Sequence, residues 1–532
     1  MSQRHRTADS DSHSIDARSG LTRRQWLTRA AGAAAGVGLA PLGGLAQHPA
    51  FAQGAPKRGG TLKVATVDKP VNMDPGYAQL YSSLQVYQNV YSKLVNVDEA
   101  GQFIPGLAKS WKQENDRTWL FDLVDNAVFH NGEPLTSKDV VYTFTRLLDP
   151  KNKLPMRIFF TPVEGVEAAS QYQVRFTLSK PFGPLLAMLS QATEVVNEKA
   201  LNDKDPKLFP IGTGPYKFVE WVKDDHIALE RWDKYFRPSR PYMDKIIFYA
   251  PADDTVRLTG LQTGRFNWIQ TVPPQRIPEL ERGRDPKTSP GRPYLPFYLN
   301  LNASKPPFND KRLRQAIAWA IDRAEIVKLV YFGSHVVTAE PTPEPSPWAT
   351  GVNAHKGGPD LAKAKQLMAD AGVTGGLTVT YLVKSQVPVL VKTGEILREQ
   401  LKKIGITLEV QPLESGQYFE AMVGKRFDIV GGWWSVTVDP DMFWSPLQHS
   451  SSPWNFAGFK SEEADKRIEA FRFTTSPAAR KKMYPEMVRW FQEEGSIIVF
   501  SNEIQKYWMK PNVQASVPYP SLELRFEETW LA

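Results

Sequence analysis

The stretch from Leu377 to Val410 constrains the fold more than any other part of the chain. Leu377, Val379 and Tyr381 alternate as in a strand with one buried face. Leu397, Leu401 and Ile404 then recur at helical spacing, Gly405 stops the helix, and Ile406, Leu408 and Val410 alternate again. A strand, a helix and a strand in that order form a crossover whose two strands lie parallel, almost always with a right-handed connection. Two helical stripes come before it. Leu361, Ala364, Leu367 and Ala371 end at Gly372, while Leu313, Ile317, Trp319, Ala320 and Ala324 describe one longer helix entered through Asn309 and Asp310.

The first half reads differently. Residues 61–65 form a first strand, and residues 70–76 a loop in which Asp74-Pro75 signals a turn or helix start. Trp119, Phe121 and Leu123 alternate, as do Val174, Phe176 and Leu178. Between them Asn131-Gly132 makes a tight turn, Thr136 to Asp139 has the form of a capped helix start, and Val140, Phe144 and Leu147 form the apolar stripe that follows. The class is α/β, with antiparallel additions in the first half.

Two apolar strands flank the crossover region, Tyr298-Leu299-Asn300-Leu301 before it and Ile497-Ile498-Val499-Phe500 after it. They are the two passages of chain expected between an N-terminal and a C-terminal lobe. A chain that crosses twice between lobes has a natural hinge, and ligands settle in the cleft such lobes enclose.

The N-terminus reads as an address. Arg23 and Arg24 precede Gln25-Trp26-Leu27, an Ala/Gly-rich stretch runs over residues 30–46, and Ala50-Phe51-Ala52 is an A-x-A cleavage pattern. The segment resembles a twin-arginine export signal; against the alternative, a single membrane-anchoring helix, the stretch is Gly-rich, interrupted by Pro41 and shorter than the roughly 20 apolar residues of a spanning helix. Cleavage after Ala52 leaves a mature chain beginning at Gln53. Six arginines and three aspartates leave with residues 1–52, so the net charge falls from +8 to +5. Such a small excess without runs of like charge speaks against nucleic acid or a membrane surface as partner. The chain contains no cysteine, which removes thiol catalysis, cysteine metal sites and the lipoprotein anchor together. Fifteen Trp and eighteen Tyr, by contrast, suit ligand clefts as well as cores, since each joins a flat apolar face to a polar tip.

The chain resembles the large periplasmic solute-binding proteins of peptide/nickel-type ABC importers, extracellular solute-binding family 5. The residues that carry the resemblance run in order through Gly59-Gly60-Thr61-Leu62-Lys63-Val64-Ala65, Met73-Asp74-Pro75, and Pro105-Gly106-Leu107-Ala108-Lys109-Ser110-Trp111. Val128-Phe129-His130-Asn131-Gly132-Glu133-Pro134, Gly212-Thr213-Gly214-Pro215-Tyr216, Asn300-Leu301-Asn302 and the stretch from Pro306 to Arg323 continue it. The resemblance implies a two-lobed binding-protein fold with an extra inserted domain and two inter-lobe crossing strands. On that pattern residues 53–90, 206–296 and 501–532 make a discontinuous first domain, 91–205 the inserted second domain and 297–500 the ligand-enclosing third. It also implies an exported monomer in the periplasm, carried there by the twin-arginine machinery, that binds a small-molecule solute and hands it to ABC permease subunits without a cofactor.

In the resembled family the passage Phe427 to Asp441 lines the cleft, and peptide-binding members place an aspartate three residues after its tryptophan to pair with the peptide's ammonium group. Here that count reaches Val436 from Trp433 and Thr437 from Trp434, neither acidic. Trp433 and Trp434 point to opposite sides of their strand. The ligand-contact candidates are Trp433, Trp434, Thr437, Asp439, Trp454, Asn455, Tyr77 and Tyr81, with Asp439 also placed to start the next helix. Short peptides or peptide-like compounds are the first expectation; opines, oligosaccharides and chelated metals are alternatives. A secreted hydrolase is the remaining one, against which stands the lack of a G-x-S-x-G elbow, an H-E-x-x-H helix or a P-loop. The five histidines after residue 52 (His130, His226, His335, His355 and His449) show no metal-ligand spacing.

Overall fold

The computed structural model describes residues 55–77, 81–191, 193–251, 253–435 and 438–532. The export segment and Thr437 lie outside the described residues, as does the side chain of Tyr81.

The expected crossover is present. Leu377–Lys384 pairs in parallel with Ile406–Leu413, from Leu377 opposite Ile406 to Lys384 opposite Leu413. Helix Pro388–Lys402 connects them and buries Leu390, Leu397 and Leu401 against the sheet. Gly405 holds a positive φ of 83° beyond the helix, a conformation that costs glycine little. The two strands belong to a six-stranded sheet in the order His335–Val337, Ile497–Gln505, Arg292–Leu301, Ile429–Trp433, Leu377–Lys384 and Ile406–Leu413.

A seven-stranded sheet is assembled from distant parts of the chain. Its order is Lys287–Thr288, Trp508–Met509, Trp268–Ile269, Thr61–Ala65, Lys245–Tyr249, His226–Arg231 and Tyr216–Val222. Thr61–Ala65 lies at its centre, parallel to Lys245–Tyr249 and Trp268–Ile269. The antiparallel additions form a four-stranded sheet of Ala108–Asn115, Thr118–Leu123, Gln173–Leu178 and Val163–Ser170. Helix Ser137–Leu148 covers it with Val140, Phe144 and Leu147, and Thr136 and Asp139 close a capping box at its start.

One expectation fails. The single helix read through Leu313 and Ala324 is two, Lys311–Ala320 and Arg323–Val330. Ile321 is extended, and the Asp322 carboxylate accepts the Glu325 N–H at 2.9 Å, so a new helix starts where the apolar stripe continues. The Asp322 N–H in turn donates to Gln400 Oε1 at 3.0 Å. A side chain that competes for the backbone outweighs periodicity there.

The two passages between the lobes are longer than the apolar runs that announced them, and they pair with each other. Arg292–Leu301 and Ile497–Gln505 run antiparallel from Arg292 opposite Gln505 to Asn300 opposite Ile497, with two register shifts. Just beyond, Lys287–Thr288 pairs with Trp508–Met509 in the other sheet. Between the two ladders, Ser289 N–H donates to Tyr507 O at 2.9 Å and Tyr507 N–H to Ser289 Oγ at 2.8 Å. The two passages therefore form one paired ribbon rather than two separate linkers.

Candidate functional site

In open α/β sheets ligands bind beyond the carboxyl ends of the parallel strands, where side chains and loops converge. In the six-stranded sheet those ends bring Lys384 and Trp433 together. The Lys384 ammonium lies 5.7 Å from the Trp433 ring centre and 5.4 Å from that of Tyr418. Trp433 stacks on Phe297 of the first passage at 5.7 Å. From the seven-stranded sheet comes Asp68, in the loop that follows Thr61–Ala65. Burial pushes the Lys384 pKa down, and the negative charge of Asp68, from the other lobe, pulls the other way. Burial raises Glu503, on the second passage, to about 7, and Asp254 from the first lobe adds to the shift.

Trp433 and Trp434 do point to opposite sides. Trp433 packs on the core that contains Phe297 and Tyr381. Trp434 packs with Phe443 and Trp444 on the other face, and its indole N–H donates to the Met442 carbonyl at 2.7 Å. Trp454 meets Trp434 edge to face at 5.3 Å and Phe159 at 5.6 Å. Phe159 belongs to the core of the four-stranded sheet, so Trp454 joins that segment to the C-terminal lobe.

Asp439 starts the turn into helix Asp441–Gln448 by accepting the Asp441 N–H at 2.9 Å. Its two carboxylate oxygens are held by Arg480 at 2.5 and 2.7 Å, and both residues are buried. A carboxylate so committed is not available to a ligand's ammonium, and removing one partner of such a pair costs about 3–5 kcal/mol. Asn455 is likewise occupied. Its amide donates to Phe459 O at 2.6 Å and His449 O at 3.3 Å, and accepts from Phe459 N at 3.2 Å. Tyr77 sits in the turn Pro75–Tyr77 against the four-stranded domain's core, with its hydroxyl 3.4 Å from Asn152 O and Lys207 over its ring. Tyr81 opens helix Tyr81–Tyr87.

Of the eight candidates, the structure thus brings Trp433 to the strand ends and gives Asp439 and Asn455 to internal bonding. Lys384, Asp68 and Glu503 were not singled out from the sequence. The available signal was a lysine closing an otherwise apolar alternating strand.

His335 and His355 are buried and His130 is half-buried, and all three are held neutral at pH 7. Burial pushes His130 down to about 4 and His335 and His355 to about 3. Among the described residues no group of three or more His, Asp or Glu is placed to hold a metal ion, and no helix is long and apolar enough to cross a membrane.

Residues 102–455 match the family model of the bacterial extracellular solute-binding proteins, family 5. The glutathione-binding protein GsiB of Pectobacterium atrosepticum is 26% identical over 429 residues, 78% of this chain and 83% of that protein. Among solved structures, the oligopeptide-binding protein AppA of Bacillus subtilis, in complex with a nonapeptide, superposes with a TM-score of 0.81 at 26% identity, covering 90% of this chain and all of that one. The binding protein AgaA from A. tumefaciens R10, in complex with agropinic acid, gives 0.80 at 25% identity, covering 89% and 99%.

Proposed function

The chain belongs to the bacterial extracellular solute-binding proteins of family 5, and from that premise we propose that it captures a short peptide or peptide-like solute between its two lobes and delivers it to the permease of an ABC importer. The observation that carries the reading is the Lys384 ammonium set over the Trp433 and Tyr418 rings at the strand ends of one lobe, within electrostatic reach of Asp68 in the other. A cation, an aromatic face and an opposing carboxylate between hinged walls suit a small polar solute with an apolar part. Ligand favours the closed arrangement because only there do both walls touch it. The role is binding and delivery without catalysis, by an exported monomer in the periplasm whose twin-arginine segment is removed. Residues 53–90, 206–296 and 501–532 would act as one domain, 91–205 as the insert and 297–500 as the closing lobe.

A second reading, a ligand without a free ammonium group such as an opine, is favoured by Val436 where peptide binders carry an acid, and by Asp439 being held by Arg480. A thermal-shift screen of the mature protein against di- and tripeptides, glutathione, opines, sugars and chelated metals tests both. A true ligand at 100 times its dissociation constant adds about 2.7 kcal/mol of stability. A raised melting temperature with peptides supports the first reading, and one with opines alone the second. No shift with any organic solute, or turnover of one, would sink the proposal.

A further inference from the structure

Where residues 93 and 194 meet in an antiparallel bridge, a cavity of about 30 Å³ lies against the C-terminal residues 523–527. Gln88, Lys93, Glu194, Glu523 and Arg525 are among the residues that line it. The charges are buried, with Lys93 5%, Glu194 2% and Glu523 1% exposed. Most of them are ion-paired. Lys93 donates to Ser190 O at 2.6 Å and pairs with Glu523, which also faces Arg525 Nε at 3.1 Å. On the far side Glu527 is held by Arg237 at 2.7 Å and the Tyr235 hydroxyl at 2.6 Å.

Glu194 is the exception. Neither of its carboxylate oxygens has a hydrogen-bond partner, and the same is true of Gln88 Oε1 beside it. Leaving such groups unsatisfied in the interior costs about 1–3 kcal/mol each, and more when charged. Both Glu523 oxygens and Arg525 Nε also lack a well-aligned hydrogen bond, but each stands in an ion pair with Lys93 or with the other. The three atoms with neither are acceptors, so the group that completes the site must donate. A metal cation would meet Lys93 and Arg525 at the same wall, which opposes it. Water meets the requirement, because it donates twice and also accepts from the ammonium and guanidinium. Roughly 10–15 Å³ of such space admits one molecule, so the cavity has room for one or two.

We propose that this cavity is a built water site, in which one or two internal waters donate to Glu194 and Gln88 and accept from Lys93 or Arg525. The waters fasten the entry and exit of residues 93–194, the segment that carries the four-stranded sheet, to the C-terminal end of the chain. Burial raises the Glu194 carboxyl and lowers the Lys93 ammonium, each partly offset by the other's charge.

The test is a crystal structure of the mature protein at a resolution that shows ordered water, with a second crystal soaked in rubidium chloride. The expected result is one or two well-occupied peaks about 2.5–3.0 Å from Glu194 Oε and Gln88 Oε1, without anomalous signal. The Glu194→Gln variant should retain them and Glu194→Leu should lose at least one. Featureless density, Lys93 bonded directly to Glu194, or an anomalous rubidium peak in the cavity would each overturn the proposal.

Discussion

Glu503 lies on the second passage between the lobes, and its carboxyl is raised from the ordinary 4.5 to about 7, first by burial and then by the charge of Asp254. The folded state therefore holds this proton more tightly than the unfolded chain. The stability it contributes is complete below about pH 4.5 and is lost as the pH rises through about 7, at about 1.4 kcal/mol for each pH unit between the two values. Glu503→Gln, neutral throughout, should flatten that part of the curve. Urea unfolding of both proteins at several pH values across this range measures it, and parallel curves would refute the assignment. At this scale sequence reading went only part of the way. The alternation of Trp433 and Trp434 follows from strand geometry alone. That Asp439 belongs to Arg480, 41 residues on, depends on where two helices pack.

Among the elements, strand Ile429–Trp433 shows how a glycine serves its neighbour. A Cβ on Gly431 would stand 2.0 Å from the Tyr381 hydroxyl, and Tyr381 is fully buried in the core beside it. Gly431→Ala must displace that ring or the strand, and overpacking of this kind costs about 1–3 kcal/mol. The expected result is a lower urea midpoint with unchanged slope, and weaker ligand binding, since Trp433 ends the same strand. A midpoint equal to that of the wild type would show that the ring has room to move. The crossover of Leu377–Lys384, Pro388–Lys402 and Ile406–Leu413 was legible because each of its parts carries its own period. The break at Ile321 was not, because the capping bond of Asp322 leaves the apolar stripe on either side intact.

For the whole molecule, the paired passages predict a motion. Two strands hydrogen-bonded to each other through both sheets bend together, so the lobes should open and close about one axis rather than swing independently. Small-angle scattering should show a smaller radius of gyration when the solute found by the screen is added at saturation. An unchanged radius would mean that binding does not draw the lobes together.

The sequence by itself determined the α/β class, the parallel crossover, the capped helix at Ser137 and the family, since each rests on periodicity or on motifs read in order along the chain. It also announced the two passages through their apolar runs. Only the tertiary structure decided that these passages are hydrogen-bonded partners, that Lys384 meets Trp433 and Tyr418, and that Asp439 and Asn455 serve the protein's own framework. The reason is physical. Local periods are written within one turn or one pleat, whereas a side chain's partner is chosen by packing among segments up to hundreds of residues apart.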